Sequence, residues 1–231
     1  MAILLTVKNL NVKLAGQKIL KNLSFQVNQG EILTILGANG AGKTVLLKTL
    51  LGFLPYEGEI HWHQKLKIAY LPQGLNQLSL KDFPLTVKDF FFLKNQPPST
   101  EEINKFLTLV GLKKEIFLKA ANSLSSGQFQ RMLVAWTLVS HPQVLFFDEP
   151  TTGIDIGGGE TIYSLIQTIW RKENLTIFLV THDLNIVYKN STNVLCLQRK
   201  GHPCFGPPKS ILSPKILTQI FDTEIKFYEH R

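Results

Sequence analysis

Eight residues restrict this chain more than any other stretch: Gly37-Ala38-Asn39-Gly40-Ala41-Gly42-Lys43-Thr44. They carry the spacing G-x-x-x-x-G-K-[S/T] of a phosphate-binding loop. The apolar run Glu31–Leu36 precedes them and reads as a buried strand. Lys43–Leu51 follows and reads as a helix with Gly52 as its stop. Glycines let successive backbone N–H groups turn inward without Cβ clashes, which makes a concave anion site. The helix opening at Gly42 adds its unsatisfied N–H groups and the positive end of its dipole. On this mechanism Lys43 reaches the terminal phosphates of a nucleotide and the Thr44 hydroxyl ligates Mg²⁺.

The 231 residues allow one domain, or one with a subdomain, and a sizeable core. A hydrophobic content of 44% with 18% charged residues is globular and excludes a disordered chain. The net charge of +8 is spread thinly. A solvated basic surface, an anionic membrane face and a nucleic acid all stay open on charge alone. Cys196 and Cys204 form neither a disulfide framework nor a C-x-x-C motif, so reduced thiols are expected. The N-terminus lacks a basic region and a cleavage site, so no signal peptide is expected. Apolar runs such as Phe90–Leu93 are too short to span a membrane. Work at a membrane would therefore go through docking on another protein. His61, His63, His202 and His230 show no metal-ligand spacing and read as surface residues.

Short alternating stretches at Leu4–Val7, Leu10–Val12 and Leu23–Val27 predict antiparallel strands leading into the phosphate-loop strand. Gly58–Trp62 and Lys67–Leu71 predict two more. From 75 to 122 prolines punctuate two segments of helical spacing, Thr86–Leu93 and Ser99–Val110. Ser99 or Thr100 caps the second, with Glu101 and Glu102 in its first turn. Ser125–Ser140 and 159–172 also read as helices, the first with Phe129, Met132, Leu133 and Trp136 on a core-facing stripe. Val144–Asp148 reads as a continuous apolar strand typical of a parallel sheet, Leu175–Val180 as another buried strand and Val194–Leu197 as a last strand. A Gly/Pro-rich loop, Gly201–Pro208, leads to a last helix opened by Ser213-Pro214.

Asp148-Glu149 ends an apolar strand with two carboxylates. Hydrolysis on a phosphate loop needs an acid for the Mg²⁺ shell and a group that orients the attacking water. Asp148 suits the first role and Glu149 the second.

With these residues in place the chain resembles a nucleotide-binding subunit of an ATP-binding-cassette (ABC) transporter, over nearly its whole length. Gly37–Thr44 matches the Walker A motif, Gln73 the Q-loop, and Leu124-Ser125-Ser126-Gly127-Gln128 the signature. Leu145–Asp148 followed by Glu149 matches Walker B, Asp155 sits at the D-loop and His182 at the switch histidine. The resemblance implies a P-loop NTPase core of α/β class with a mixed sheet. To this it adds an N-terminal antiparallel β subdomain and an inserted helical subdomain. Residues 1–74 and 141–231 would form the core, and 75–140 the helical subdomain carrying the signature.

It further implies that ATP lies on Gly37, Ala38, Asn39, Gly40, Ala41, Gly42, Lys43, Thr44 and Val45. Mg²⁺ would be held by Thr44, Gln73 and Asp148. Catalysis would fall to Glu149, His182 and Gln73. Ser125, Ser126, Gly127 and Gln128 would close on ATP held by a second copy, and Asp155 would bridge that homodimer. Two departures stand out. Ser126 replaces the family's usual glycine, and Leu14 occupies the position of the aromatic that stacks on adenine. Leu14 would then give weaker or less base-selective binding.

Single-cassette length and the segments Thr86–Phe90, Pro150–Asp155, Thr181–Leu184 and Val194–Leu197 resemble the ATPases of bacterial zinc/manganese importers. The expected function is ATP hydrolysis powering solute import, with a divalent metal ion as solute. Import of another solute such as an iron chelate, or a soluble nucleic-acid-associated ATPase, is the alternative. Expected partners are integral-membrane permease subunits and, indirectly, an extracytoplasmic solute-binding protein, with no nucleic acid. The expected location is the cytoplasmic face of the membrane.

Overall fold

The computed structural model describes residues 2–75, 83–151, 156–198 and 203–221, without the side chains of 156–161. It divides into two compact units, Met1–Lys65 with Thr176–Arg231, and Leu66–Leu175.

In the first unit, β1 (Ile3–Leu14) and β2 (Gln17–Asn28) form a long antiparallel hairpin, and β4 (Glu57–Trp62) pairs with β1 on its other side. Ala15 and Gly16, with φ of 47° and 77°, supply the two-residue turn. The short stretches seen in the sequence are parts of these two strands. Register shifts and the positive φ of Asn9 and Asn22 (50° and 45°) interrupt the alternation without ending either strand. Their inward positions, among them Leu5, Val7, Leu10, Val12, Leu23 and Val27, are buried.

The same unit holds a second layer. β3 (Ile32–Gly37) lies between parallel neighbours β7 (Thr176–Val180) and β8 (Asn193–Leu197). All three read as near-continuous apolar runs, as strands covered on both faces must. α1 (Lys43–Leu50) follows β3, and Gly52 ends it in the left-handed region at φ 78°. α6 (Leu184–Asn190), α7 (Pro208–Ile211) and α8 (Pro214–Phe221) bury Val187, Leu212, Leu217 and Ile220 against Leu36 and Val194.

Two sequence expectations fail here. β9 (Cys204–Gly206) occupies part of the stretch expected to be a loop, pairing antiparallel with β8. That pairing sets Cys196 directly opposite Cys204 with Cα atoms 4.9 Å apart, and the two form a disulfide rather than reduced thiols. Sequence spacing does not reveal a cross-strand pair, because the pairing depends on a three-residue strand inside a Gly/Pro-rich segment.

In the second unit, β5 (Ile68–Leu71) and β6 (Val144–Asp148) are parallel partners. Around them lie α2 (Val87–Phe92), α3 (Thr100–Leu109), α4 (Ser126–Leu138) and α5 (Ile156–Glu173). Thr86, Ser99 and Ser125 cap α2, α3 and α4, each closing a reciprocal box with Asp89, Glu102 and Gln128. The α4 stripe is core: Phe129, Met132 and Leu133 are buried and Trp136 half-buried. Among the described residues no helix is long and apolar enough to cross a membrane.

Candidate nucleotide-binding site

In the first unit the phosphate loop leaves the C-terminal end of β3. Gly37 closes that strand where a Cβ would lie 2.8 Å from the Leu197 carbonyl oxygen, so backbone approach requires the glycine. Gly42 holds φ 96° at the mouth of α1, and a Cβ there would meet Leu20 at 2.9 Å. The N-cap of α1 is Gly42, which has no side chain to cap the helix. Lys43 is 8% exposed and donates to the carbonyls of Gly37 at 2.9 Å and Ala38 at 3.3 Å. Its ammonium thus lies within the loop that would cradle phosphate. Thr44 and Val45 are half-buried on the same turn.

β7 is parallel to β3, with Ile35 opposite Val180. His182, two residues beyond β7, therefore emerges at the same sheet edge as the loop, and it is exposed. Asp183 beside it caps α6, accepting from the N–H groups of Asn185 and Ile186 at 2.9 and 3.3 Å. Leu14 is half-buried at the end of β1.

In the second unit, Leu71 of β5 lies opposite Phe147 of β6. Gln73 and Glu149 follow at equal distance along the chain and meet: Gln73 Nε2 donates to Glu149 Oε2 at 2.8 Å. Glu149 holds φ 49°, an uncommon conformation for a non-glycine residue and one that concentrates at functional sites. Asp148 is 1% exposed at the end of β6.

Tyr70, which the sequence reading passed over, lies half-buried beside Asp148. Burial first, and then the Asp148 carboxylate, push its phenol up to about 12. The signal available in the sequence was a hydroxyl in an apolar strand three residues before Gln73. Ser125 and Gln128 are exposed at the start of α4, and Gln130 behind them donates to the Leu75 carbonyl at 3.0 Å. Asp155 lies outside the described residues.

The first unit thus holds a glycine-rich loop around a buried lysine with a histidine at the same sheet edge, and the second holds a paired carboxylate and amide. A profile of the ABC transporter family matches residues 20–152, which spans the loop, the glutamine, the α4 start and both carboxylates. The chain belongs to the ABC transporter family. It is an ATP-binding, ATP-hydrolysing transport subunit.

Curated relatives of this ABC ATPase extend the likeness over almost the whole length. One is the "Probable metal transport system ATP-binding protein" of Thermotoga maritima, 38% identical over 93% of this chain and 89% of that one. Another is "Zinc import ATP-binding protein ZnuC" of Wigglesworthia glossinidia brevipalpis, 36% identical over 94% and 92%. Among solved structures, an ABC transporter in an inward-facing conformation, described as of metal-chelate type, superposes with a TM-score of 0.85. It shares 26% identity over 99% of this chain and 94% of that one. The α/β fold with a mixed sheet and an N-terminal antiparallel sheet agrees with the expectation from sequence.

Proposed function

We propose that this ABC ATPase powers import of a divalent metal ion, zinc foremost, through a membrane permease. The names borne by its relatives support the solute, and the pairing of Gln73 with Glu149 at 2.8 Å carries the catalytic reading. On this reading ATP lies on Gly37–Val45, against the Leu14 side chain. Lys43 exchanges its carbonyl partners for phosphate oxygens. Thr44, Asp148 and Gln73 are hard oxygen donors of the kind Mg²⁺ takes, and the ion would neutralise phosphate charge. Glu149 polarises the attacking water, and Gln73, released from it or shifted along it, reports the permease contact. His182 stabilises charge on the γ-phosphoryl oxygens.

Two copies act together, with Ser125, Ser126, Gly127 and Gln128 of one closing on the nucleotide of the other and Asp155 at their seam. Gly127 supports this. A Cβ there would meet nothing within 4 Å, so packing within the chain does not demand a glycine in a helix that glycine weakens. Residues 75–140 act as the helical subdomain between permease and nucleotide. A solute-binding protein outside the membrane would deliver the metal.

The test is radioactive zinc uptake in cells lacking the chain, complemented with wild type or Glu149→Gln. Restoration by wild type alone supports the reading. Normal zinc uptake in the deleted cells, with loss of iron-chelate uptake, would move the solute to the alternative. ATPase activity stimulated by DNA or RNA rather than by a co-purifying permease would remove the transport role.

A further inference from the structure

The exposed face of β4 carries Glu57, Glu59 and His61 at every second residue, and His63 continues the row one step past the strand. The neighbouring strand sorts this row into two halves. Glu57 pairs with Lys13 at 2.8 Å and Glu59 with Lys8 at 3.8 Å, so both carboxylates face cations. His61 lies opposite Thr6 in the register of β1 and β4. The backbone N–H of His63 donates to the Leu4 carbonyl at 3.0 Å, which extends the ladder and holds the residue in line.

The two imidazoles are close. Their ring centroids lie 4.5 Å apart with planes at 87°. Two imidazoles bound to one tetrahedral zinc, at a Zn–N distance of about 2.0–2.1 Å, have centroids roughly 5 Å apart. The observed contact is shorter than that figure and edge-on, so the exposed His61 ring rotates to bring both lone pairs onto one ion. His63 is also oriented: its Nε2 lies 2.8 Å from Thr6 Oγ1. In the tautomer that donates Nε2–H to the hydroxyl, Nδ1 keeps its lone pair. A second hydrogen bond of this kind on the far ring nitrogen is what fixes a metal-ligating histidine elsewhere. Both histidines are exposed, so an ion and its waters have access.

We propose that His61 and His63 form a two-imidazole clamp for a divalent transition-metal ion of the zinc, nickel or copper type. Imidazole selects those ions over Mg²⁺ and Ca²⁺, which take oxygen donors. Water completes the shell, since among the described residues no group of three or more His, Cys, Asp or Glu side chains is placed to hold a metal. The surface position expected from sequence holds. The ligand pair was not legible there, because only the strand sets the two rings side by side with a hydroxyl behind one of them. The proposal does not rest on which solute the transporter carries.

The test uses the purified untagged chain, with Zn²⁺ alone as the probe in competition with a chromophoric chelator. The expected result is one ion bound per chain, weakened about tenfold or more by His61→Ala and by His63→Ala, each of which remains folded because both side chains are exposed. Thr6→Val weakens binding about tenfold with both rings intact, as loss of an orienting partner does. His141→Ala, which removes an exposed histidine of the second unit, leaves the affinity at the wild-type value. Wild-type affinity in the His61→Ala/His63→Ala double variant, or an equal loss in His141→Ala, overturns the clamp. Wild-type affinity in Thr6→Val overturns the orientation by Thr6.

Discussion

Gln73 donates its side-chain amide to the Glu149 carboxylate at 2.8 Å across 76 residues of sequence. A carboxylate so held has a fixed direction, which a general base requires. Glu149→Gln is expected to keep nucleotide binding and to lower single-turnover phosphate release by about 10²- to 10⁴-fold. Gln73→Ala leaves the carboxylate in place and lowers the rate less. Brisk phosphate release by Glu149→Gln would remove the catalytic role from that residue.

Gly37→Ala tests the close approach between the phosphate loop and its neighbouring strand. The new Cβ would lie 2.8 Å from the Leu197 carbonyl oxygen and 3.0 Å from the Ala41 Cβ. Backbone must shift to admit it, at about 1–3 kcal/mol. Urea unfolding should show that loss without nucleotide, and ATP affinity should fall with it. An unchanged midpoint would mean that the loop relaxes freely.

Ser125 and Gly127 separate stability from turnover within one helix. Ser125 accepts from the Gln128 N–H at 3.3 Å, so Ser125→Ala should lower unfolding free energy by about 1 kcal/mol. Gly127→Ala adds a methyl group to open space in the same turn and should raise stability by about 0.4–1 kcal/mol. The same variant should nonetheless hydrolyse ATP more slowly, because in the proposed dimer the partner copy approaches that surface. Full activity in a stabilised Gly127→Ala would count against the proposed dimer.

Tyr70 gives the fold an alkaline dependence. Its phenol titrates near 12 in the folded chain against 10.0 ordinarily, because burial and the Asp148 charge disfavour the phenolate. The folded state therefore holds this proton more tightly than the unfolded state. The stability it contributes is present below pH 10 and is lost as pH rises toward about 12. Urea midpoints followed across that window should fall less steeply for Tyr70→Phe than for wild type. Parallel curves would place the phenol away from the carboxylate.

What could be read in advance was local. Ser99 announces its helix because a capping box closes within four residues. The phosphate loop is legible for the same reason, since strand, glycines and helix are contiguous. The contact between Gln73 and Glu149 is not, because it arises from the register of Leu71 with Phe147. Nor is the bond between Cys196 and Cys204, which depends on the pairing of β9 with β8. Nor is the closeness of Tyr70 to Asp148, which arises from the pairing of β5 with β6. The long β1 and β2 looked like fragments because bulges shift the alternation that marks a strand.

The box that starts α4 has a consequence for how its residues can be altered. Ser125 Oγ accepts from the Gln128 N–H, and Gln128 Oε1 accepts from the Ser125 N–H at 3.1 Å. Only the two acceptor oxygens are engaged in this small ring. The Ser125 hydroxyl hydrogen and the Gln128 amide hydrogens point outside it, so an outside acceptor can recruit both side chains with the ring closed. Recognition at this helix start therefore leaves the cap intact, so binding there need not compete with the stability of the helix.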